Sequence, residues 1–264
     1  MNSKVNKTDV SWIMCTHRCD NLLFRAIDSC LNQTLKSFEL IIVTNGENAD
    51  KIKKIIIEKY VDHKNIFVFS TSIKYLTFSL NLALHHSAAE YVARMDADDL
   101  SSPERLIIQK NFLDKHKNID VVGSAFAYID ENNNIYKKFK TQNMRFSNNE
   151  IKRKLFFSNP IMHPSVMFRR ESVLSMGGYM GGLNAEDYDL WSRMTIEKKL
   201  NFANIDKVLL YYNIDPKNPA RRSRLAYSSV ASTQLRNFLL TLNFKWLLGC
   251  FYSIFKLFFH ANKS

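Results

Sequence analysis

From Pro216 to its last residue the chain has no aspartate or glutamate, yet it carries eight lysines and arginines. That stretch therefore holds +8 of the formal net charge of +12. A local excess of one sign implies a partner of the other, here phospholipid headgroups or nucleic acid. Other absences narrow the field. The four cysteines, Cys15, Cys19, Cys30 and Cys250, show no paired spacing, so neither a disulfide framework nor a zinc knuckle is expected. Cys15, His17 and Cys19 lie close together, but no second ligand pair follows them. The opening MNSKVNKTDV lacks the apolar core of a signal peptide, which places the expected catalytic body in the cytoplasm. The most apolar segment, Trp246 to Phe259, is too short to span a bilayer and contains Lys256. No Gly-rich phosphate loop lies near the N-terminus, and no internal repeat is evident.

What is present is a chain of 264 residues, 46% apolar, enough for a sizeable core. Val10 to Met14 reads as a first strand and FELIIV, Phe38 to Val43, as a second. The second is almost continuously apolar, as in a parallel sheet covered on both faces. Between them Leu23, Ala26, Ile27, Cys30 and Leu31 recur at helical spacing. Further helices are predicted over 49–60 and 78–87, and strands over 66–69 and 91–95. This alternation predicts a doubly wound sheet, with ligands beyond the carboxyl ends of its strands. Thr16 to Arg18, Thr44-Asn45 and Asp96 to Asp99 occupy those ends. After Pro103 a helix is predicted to about Lys117, with Ser101 or Ser102 as its cap. Strands are predicted over 120–128, 165–168 and 207–212, a turn over 130–134 and a helix over 186–197. Gly177-Gly178 and Gly181-Gly182 flank Tyr179 and predict a loop beside the site.

Asp96, Asp98 and Asp99 crowd three carboxylates into four residues, which repel one another unless a cation intervenes. Hard oxygen donors select Mg²⁺ or Mn²⁺, a charge that a diphosphate leaving group needs. The competing explanation is an acidic loop drawn to the next helix N-terminus. Glu186, Asp187 and Asp189 form a second acidic group. Transfer to a hydroxyl needs a general base, and a carboxylate here can serve, although a helix start also favours acids.

The segments YVARMDADDLSSPERL and NAEDYDLWSRM, with the spacing between them, resemble the family 2 glycosyltransferases of the GT-A fold and bacterial surface-polysaccharide type. SCLNQTLKSFELIIV, HPSVMFRR and LLYY extend the resemblance over roughly residues 10 to 214. It implies an α/β fold, a GT-A-like doubly wound mixed sheet, mostly parallel. Residues 8–214 would form the catalytic domain, 8–100 its nucleotide-binding half and 101–214 its acceptor half. It further implies inversion in a single displacement, a Mn²⁺ or Mg²⁺ cofactor held by Asp98 and Asp96, and Asp187 as base with Glu186 beside it. Asp96 would also lie near the ribose or nucleotide. Thr16 and Asn45 would line the nucleobase pocket, and Asn81 would lie near the donor. Two departures stand out. Cys15-Thr16-His17-Arg18 replaces a proline and a Tyr-Asn pair of many relatives, and Asn45 replaces an aspartate, so UDP is only the default nucleotide. Gln234 and Arg236 in QLRNF do not match the QxxRW motif of processive relatives, which favours single addition.

His163 is a candidate acceptor contact or a satisfied core histidine, and Trp191 a sugar platform or, better, a core residue. Arg221, Arg222 and Arg224 could close over a diphosphate or face lipid. Acceptor choice would depend on loops such as Lys137 to Asn149. Residues 215–264 form the expected tail. Leu235 to Phe259 is rich in Leu, Phe and Trp, and on a single helical projection of the tail Thr241, Lys245, Ser253, Lys256 and His260 share an arc of about 120°. That predicts an amphipathic in-plane anchor on an anionic membrane, the inner face of the cytoplasmic membrane. The alternative is a helix docked on the body. The aromatics of the tail lie apart from its arginines, which argues against nucleic acid. The reading is an enzyme moving one sugar from a nucleotide-sugar to a glycan or lipid-linked glycan. A sugar nucleotidyltransferase is the rival enzyme and wants the missing Gly-rich loop; a non-catalytic module would not need intact acids at both places.

Overall fold

The computed structural model describes residues 8–130, 132, 134–135, 147–181, 184–214 and 223–259. Three strand–helix units open the chain. They are β1 (Val10–Thr16) with α1 (Asn21–Leu31), β2 (Phe38–Asn45) with α2 (Ala49–Lys59), and β3 (Ile66–Thr71) with α3 (Leu76–His86). β4 (Tyr91–Arg94), β5 (Leu100–Ser101), α4 (Arg105–Lys115), β6 (Val121–Ile129) and α5 (Asn148–Lys154) follow. A 3₁₀ turn at His163–Ser165 leads into β7 (Met167–Arg169), α6 (Arg170–Leu174), α7 (Glu186–Ile196) and β8 (Phe202–Asn213). The tail forms α8 (Arg224–Thr241) and α9 (Phe244–Phe259).

The strands make one sheet in the order β3-β2-β1-β4-β7-β6-β8-β5. β3, β2, β1 and β4 run parallel, as the strand–helix alternation predicts. β7 reverses the direction between β4 and β6, while β6 and β8 are parallel to each other. Successive residues feed cores on opposite faces: Trp12, Met14, Leu40 and Ile42 on one, Ile13, Ile41 and Val43 on the other. Because β1, β2 and β4 are parallel, Thr16, Asn45 and the Asp96 loop emerge at one edge.

Local chemistry sets the helix starts. Asp20 caps α1 by accepting from the Leu23 amide, and Ser147 and Glu150 form a capping box on α5. The serine cap predicted for α4 is not formed. Ser101 is in β5, and the residue at the cap position, Glu104, makes no side-chain cap bond. Gln33 takes that role from a distance, its Oε1 accepting from the Leu106 amide at 3.1 Å and its Nε2 donating to the Ser102 carbonyl at 2.9 Å.

The tail also departs from the single helix that its sequence suggests. Leu242 adopts a left-handed conformation, φ 53°, and splits it into two helices that pack together. α9 docks on the body. Ser253, expected on a solvent-facing arc, is buried and donates to Gln234 Oε1 at 2.7 Å, and Gln234 Nε2 donates to the Phe156 carbonyl at 2.9 Å. Trp246 is buried against Phe156, with ring centroids 4.6 Å apart. The other side of the hairpin leaves Leu239, Leu240, Phe244, Leu248, Phe251, Phe255, Phe258 and Phe259 exposed. Among the described residues no helix is long and apolar enough to cross a membrane. His260 lies outside the described residues.

Gly249 is the point of closest approach between α9 and the body. A Cβ there would come within 1.9 Å of the Phe156 carbonyl oxygen, which is backbone and cannot swing aside. Gly249→Ala is therefore expected to destabilise the docked hairpin by about 1–3 kcal/mol, the usual cost of overpacking. Urea unfolding with limited proteolysis of α9 measures this; an unshifted midpoint with α9 still protected would count against the contact.

Candidate active site

Two adjoining cavities open at the carboxyl ends of β1, β2 and β4. The first, about 570 Å³, is lined by Cys15, Thr16, His17, Arg18, Asn45, Lys74, Tyr75 and Asp98, among others. The second, about 450 Å³, is lined by Arg94, Phe126, Tyr128, Asn159, His163 and Asp187, among others. Leu76, Asp96, Asn184, Glu186 and Tyr212 line both and form their common boundary. The two acidic motifs, ninety residues apart in sequence, thus meet at one place.

The three aspartates after β4 have different surroundings. Asp96 accepts from Arg94 Nη2 at 2.5 Å. Asp98 pairs with Arg18 Nη2 at 3.3 Å; burial and the nearby Asp96 raise its pKa, with Arg18 opposing. Asp99 is fully buried, and its Oδ1 accepts from the Asn213 amide at 2.9 Å. Burial first, then Asp96 and Asp98, push Asp99 well above the usual carboxylate range. It is a structural carboxyl that joins the loop to β8, and it lines neither cavity.

The second motif divides likewise. α7 begins at Glu186, so Glu186, Asp187 and Asp189 point in different directions around the helix. Asp187 is half-buried, with Asn159 Nδ2 donating to its Oδ2 at 2.6 Å and the Tyr188 amide to its Oδ1 at 2.7 Å. Glu186 is buried, and burial followed by the adjacent Asp187 raises its pKa to about 7. Its Oε1 lies 3.8 Å from His163 Nδ1, while His163 Nε2 is 3.0 Å from the Tyr179 hydroxyl. Burial and then Arg94 lower the His163 pKa well below the ordinary imidazole value, so this histidine is neutral. Asp189 does not belong to the acid–base group. It is fully buried between Arg193 Nε and Arg236 Nη2, each 2.7 Å away.

The remaining predicted residues fall as follows. Thr16 lines the first cavity, but its hydroxyl is closed on itself, accepting from the Arg18 amide and donating to the Arg18 carbonyl. Asn45 lines it too, and its Nδ2 donates to Ser79 Oγ at 2.9 Å. Asn81, expected near the donor, lines neither cavity. Its amide is engaged on both sides with the Tyr179 backbone, Nδ2 to the carbonyl at 2.7 Å and Oδ1 to the amide at 2.8 Å. It anchors the Tyr179 loop, where Gly177 and Gly178 adopt positive φ. Trp191 is a core residue, edge-on to His163 and Phe202. Burial pushes the Cys15 thiol up to about 12, so it is no nucleophile at neutral pH. Arg221, Arg222 and residues 137–146 of the Lys137 to Asn149 loop lie outside the described residues; Arg224 is exposed at the start of α8.

Sequence reasoning missed four contributors. Arg94 is a buried cation two residues before Asp96, and Asn159 orients Asp187. Phe126, Tyr128 and Tyr212 form an edge-to-face aromatic wall with centroids 5.2 to 6.2 Å apart. α8 adds Leu225 to the first cavity. Arg94 was legible inside YVARMDADD; the others depend on pairings across the fold.

The sheet, with its helices, is that of the GT-A fold. Solved structures of similar fold include S. aureus TarS 1-349 in complex with UDP-GlcNAc, with TM-score 0.65, 16% identity and coverage of 96% of this chain and 82% of that one. Another is the mannosyltransferase PcManGT from Pyrobaculum calidifontis in complex with GDP-Man and Mn2+, with TM-score 0.66, 15% identity and coverage of 96% and 70%. Residues 11–177 match glycosyl transferase family 2, and the chain belongs to that family. It is also similar to the O-antigen biosynthesis glycosyltransferase WbnJ of Escherichia coli, 37% identical over 249 residues, 94% of this chain and 95% of that protein.

Glu186 makes stability depend on pH. Its folded pKa of about 7 exceeds the ordinary 4.5, so between those values the native state binds more protons than the unfolded chain. Stability therefore falls as pH rises through this window, by up to about 3 kcal/mol if no other group compensates. Glu186→Gln should flatten that slope in urea titrations at pH 5, 6, 7 and 8; an unchanged slope would mean that Glu186 titrates normally.

Proposed function

We propose that the chain transfers one sugar, with inversion, from a nucleotide-diphospho-sugar to a hydroxyl of a glycan or lipid-linked glycan in bacterial surface-polysaccharide synthesis. UDP is the default nucleotide. The observation that carries this reading is the shared boundary of Asp96 and Glu186, with Asp98 on one side and Asp187 on the other. The similarity to an O-antigen glycosyltransferase over almost the whole chain supports the polymer class.

The first cavity suits the donor. Asp96 and Asp98 present two half-buried carboxylates to it, and among the described residues no group of three His, Cys, Asp or Glu is placed to hold a metal ion together. Two carboxylates fit Mg²⁺ or Mn²⁺, which keeps waters and takes further oxygens from a diphosphate. Bound there, such an ion would neutralise charge on the leaving diphosphate. The solved structure of the similarly folded PcManGT is a complex with GDP-Man and Mn2+, which is in keeping with this fit.

The second cavity suits the acceptor. Phe126, Tyr128 and Tyr212 offer apolar faces to a sugar ring, and Asp187 faces the same space. Asp187 takes the proton of the acceptor hydroxyl as its oxygen bonds to the anomeric carbon. The bond from that carbon to the diphosphate breaks, and the nucleoside diphosphate leaves with the electron pair. Asn159 and the Tyr188 amide hold the carboxylate in place for this step. Glu186, with its raised pKa, limits the negative charge beside the base.

Asp187→Asn keeps shape but cannot accept the proton, and turnover should fall on the order of a hundredfold with donor affinity retained. Asp98→Ala and EDTA should each abolish transfer. Full activity in EDTA would remove the metal from the reading. Normal turnover of Asp187→Asn together with loss in Glu186→Gln would reverse the roles of the pair.

The exposed apolar side of the hairpin and the acid-free tail also support peripheral attachment to an anionic membrane, at its cytoplasmic face. Binding to anionic vesicles should weaken with salt but persist, because Phe251, Phe255, Phe258 and Phe259 add an apolar contribution. Sedimentation at low and high salt measures this; complete stripping by salt would make the contact purely electrostatic.

A further inference from the structure

The tail approaches the base as well as the body. Ala226 and Val230 of α8 line a third cavity of about 170 Å³, together with Asn159, Asn184 and Asp187. Leu225, the second residue of α8, reaches the donor-side cavity. Farther along, Arg236 leaves the tail to pair with Asp189, two residues after Asp187 on α7. Asp189 is also where the Tyr179 loop is fastened. Arg193, its other partner, donates to the Met176 and Gly178 carbonyls, and a Cβ on Gly181 would lie 2.1 Å from that of Asp189. Arg193 alone balances the formal charge of Asp189, so what Arg236 adds is an ion pair at the other carboxylate oxygen that ties the tail to α7.

We propose that Arg236 is a positioning residue: as a second cation on the buried Asp189, contributed by the tail, it clamps α8 beside Asp187, where Ala226 and Val230 wall the small cavity that shares Asn159, Asn184 and Asp187 with the acceptor-side cavity. The inference rests on Asp187 as base. It follows that α8 belongs to the catalytic unit, and that the division between catalytic body and tail at residue 214 does not describe how the site is built.

The test uses the full-length chain with a nucleotide-sugar and a soluble acceptor. Arg236→Gln is expected to lower kcat roughly tenfold and raise the acceptor KM, with donor KM within about twofold, because misplacing a reacting group costs rate more than remote binding. Arg236→Lys, which keeps the charge, should recover most of the loss. A lowered melting temperature with unchanged kcat and acceptor KM would make the pair merely structural and overturn the proposal. If Arg236→Gln does not fold, Ala226→Leu decides: it fills the cavity beside Asp187 without touching the ion pair, and an unchanged acceptor KM and kcat would overturn the proposal. Asp187→Asn is measured alongside. Its normal turnover would overturn the reading of the base, whereas normal turnover of Arg236→Gln beside an impaired Asp187→Asn would overturn this proposal alone.

Discussion

One buried guanidinium makes the site possible. Arg94 ends β4 almost fully buried, bonds Asp96 directly and lies close enough to Asp99, Glu186, His163 and Tyr179 to bias the ionisation of each. Unit charges about 4 Å apart at an effective dielectric of about 20 interact by about 4 kcal/mol. That exceeds what any single neutral hydrogen bond contributes. Repulsion among these carboxylates would otherwise favour opening the cleft to water. Arg94 is fixed in turn through its backbone, its amide donating to the Val166 carbonyl and its carbonyl accepting from Arg105 Nη2 at 2.6 Å. The cation is therefore set by strand pairing, and the acids are arranged around it.

The same economy of charge explains why each acidic motif yields residues of unlike character. In the loop after β4, Asp98 reaches solvent beside Arg18 while Asp99 turns inward to Asn213. Along α7 the helical rotation of about 100° per residue sends Asp187 to the cavity and Asp189 into the core. Burial decides protonation, and it differs by whole residue faces within a few positions. A motif names the acids; only the fold says which of them meet a substrate.

This marks how far the sequence could be read. β1, β2 and β4 are visible because parallel strands covered on both faces need nearly continuous apolar runs, and the strand ends locate Asp96, Asp98, Thr16 and Asn45. Roles that depend on distant partners were not visible. Gln33 caps α4 from 70 or so residues away, and Asn81 binds Tyr179 across the same kind of distance. The tail was misread as one helix because its projection assumes continuous helical phase. Leu242, in a left-handed conformation, resets that phase, and Ser253 and Trp246 turn inward.

That reset reconciles two demands on the tail. A helix packed on a protein wants polar contacts that fix its orientation, and one lying on a lipid surface wants an apolar face. α9 has both on opposite sides: Ser253 and Gln234 tie it to Phe156, while Phe251, Phe255 and Phe258 face outward. Buried hydrogen bonds are directional in a way that apolar contact is not, so the inner side sets the geometry, and on the proposed membrane reading the outer side would supply the adhesion. α8, packed along α9, carries that geometry to Leu225 at the donor cavity and Ala226 beside Asp187. A surface held by α9 would then lie at a fixed height from Asp187, which is the constraint that an acceptor anchored in that surface would impose.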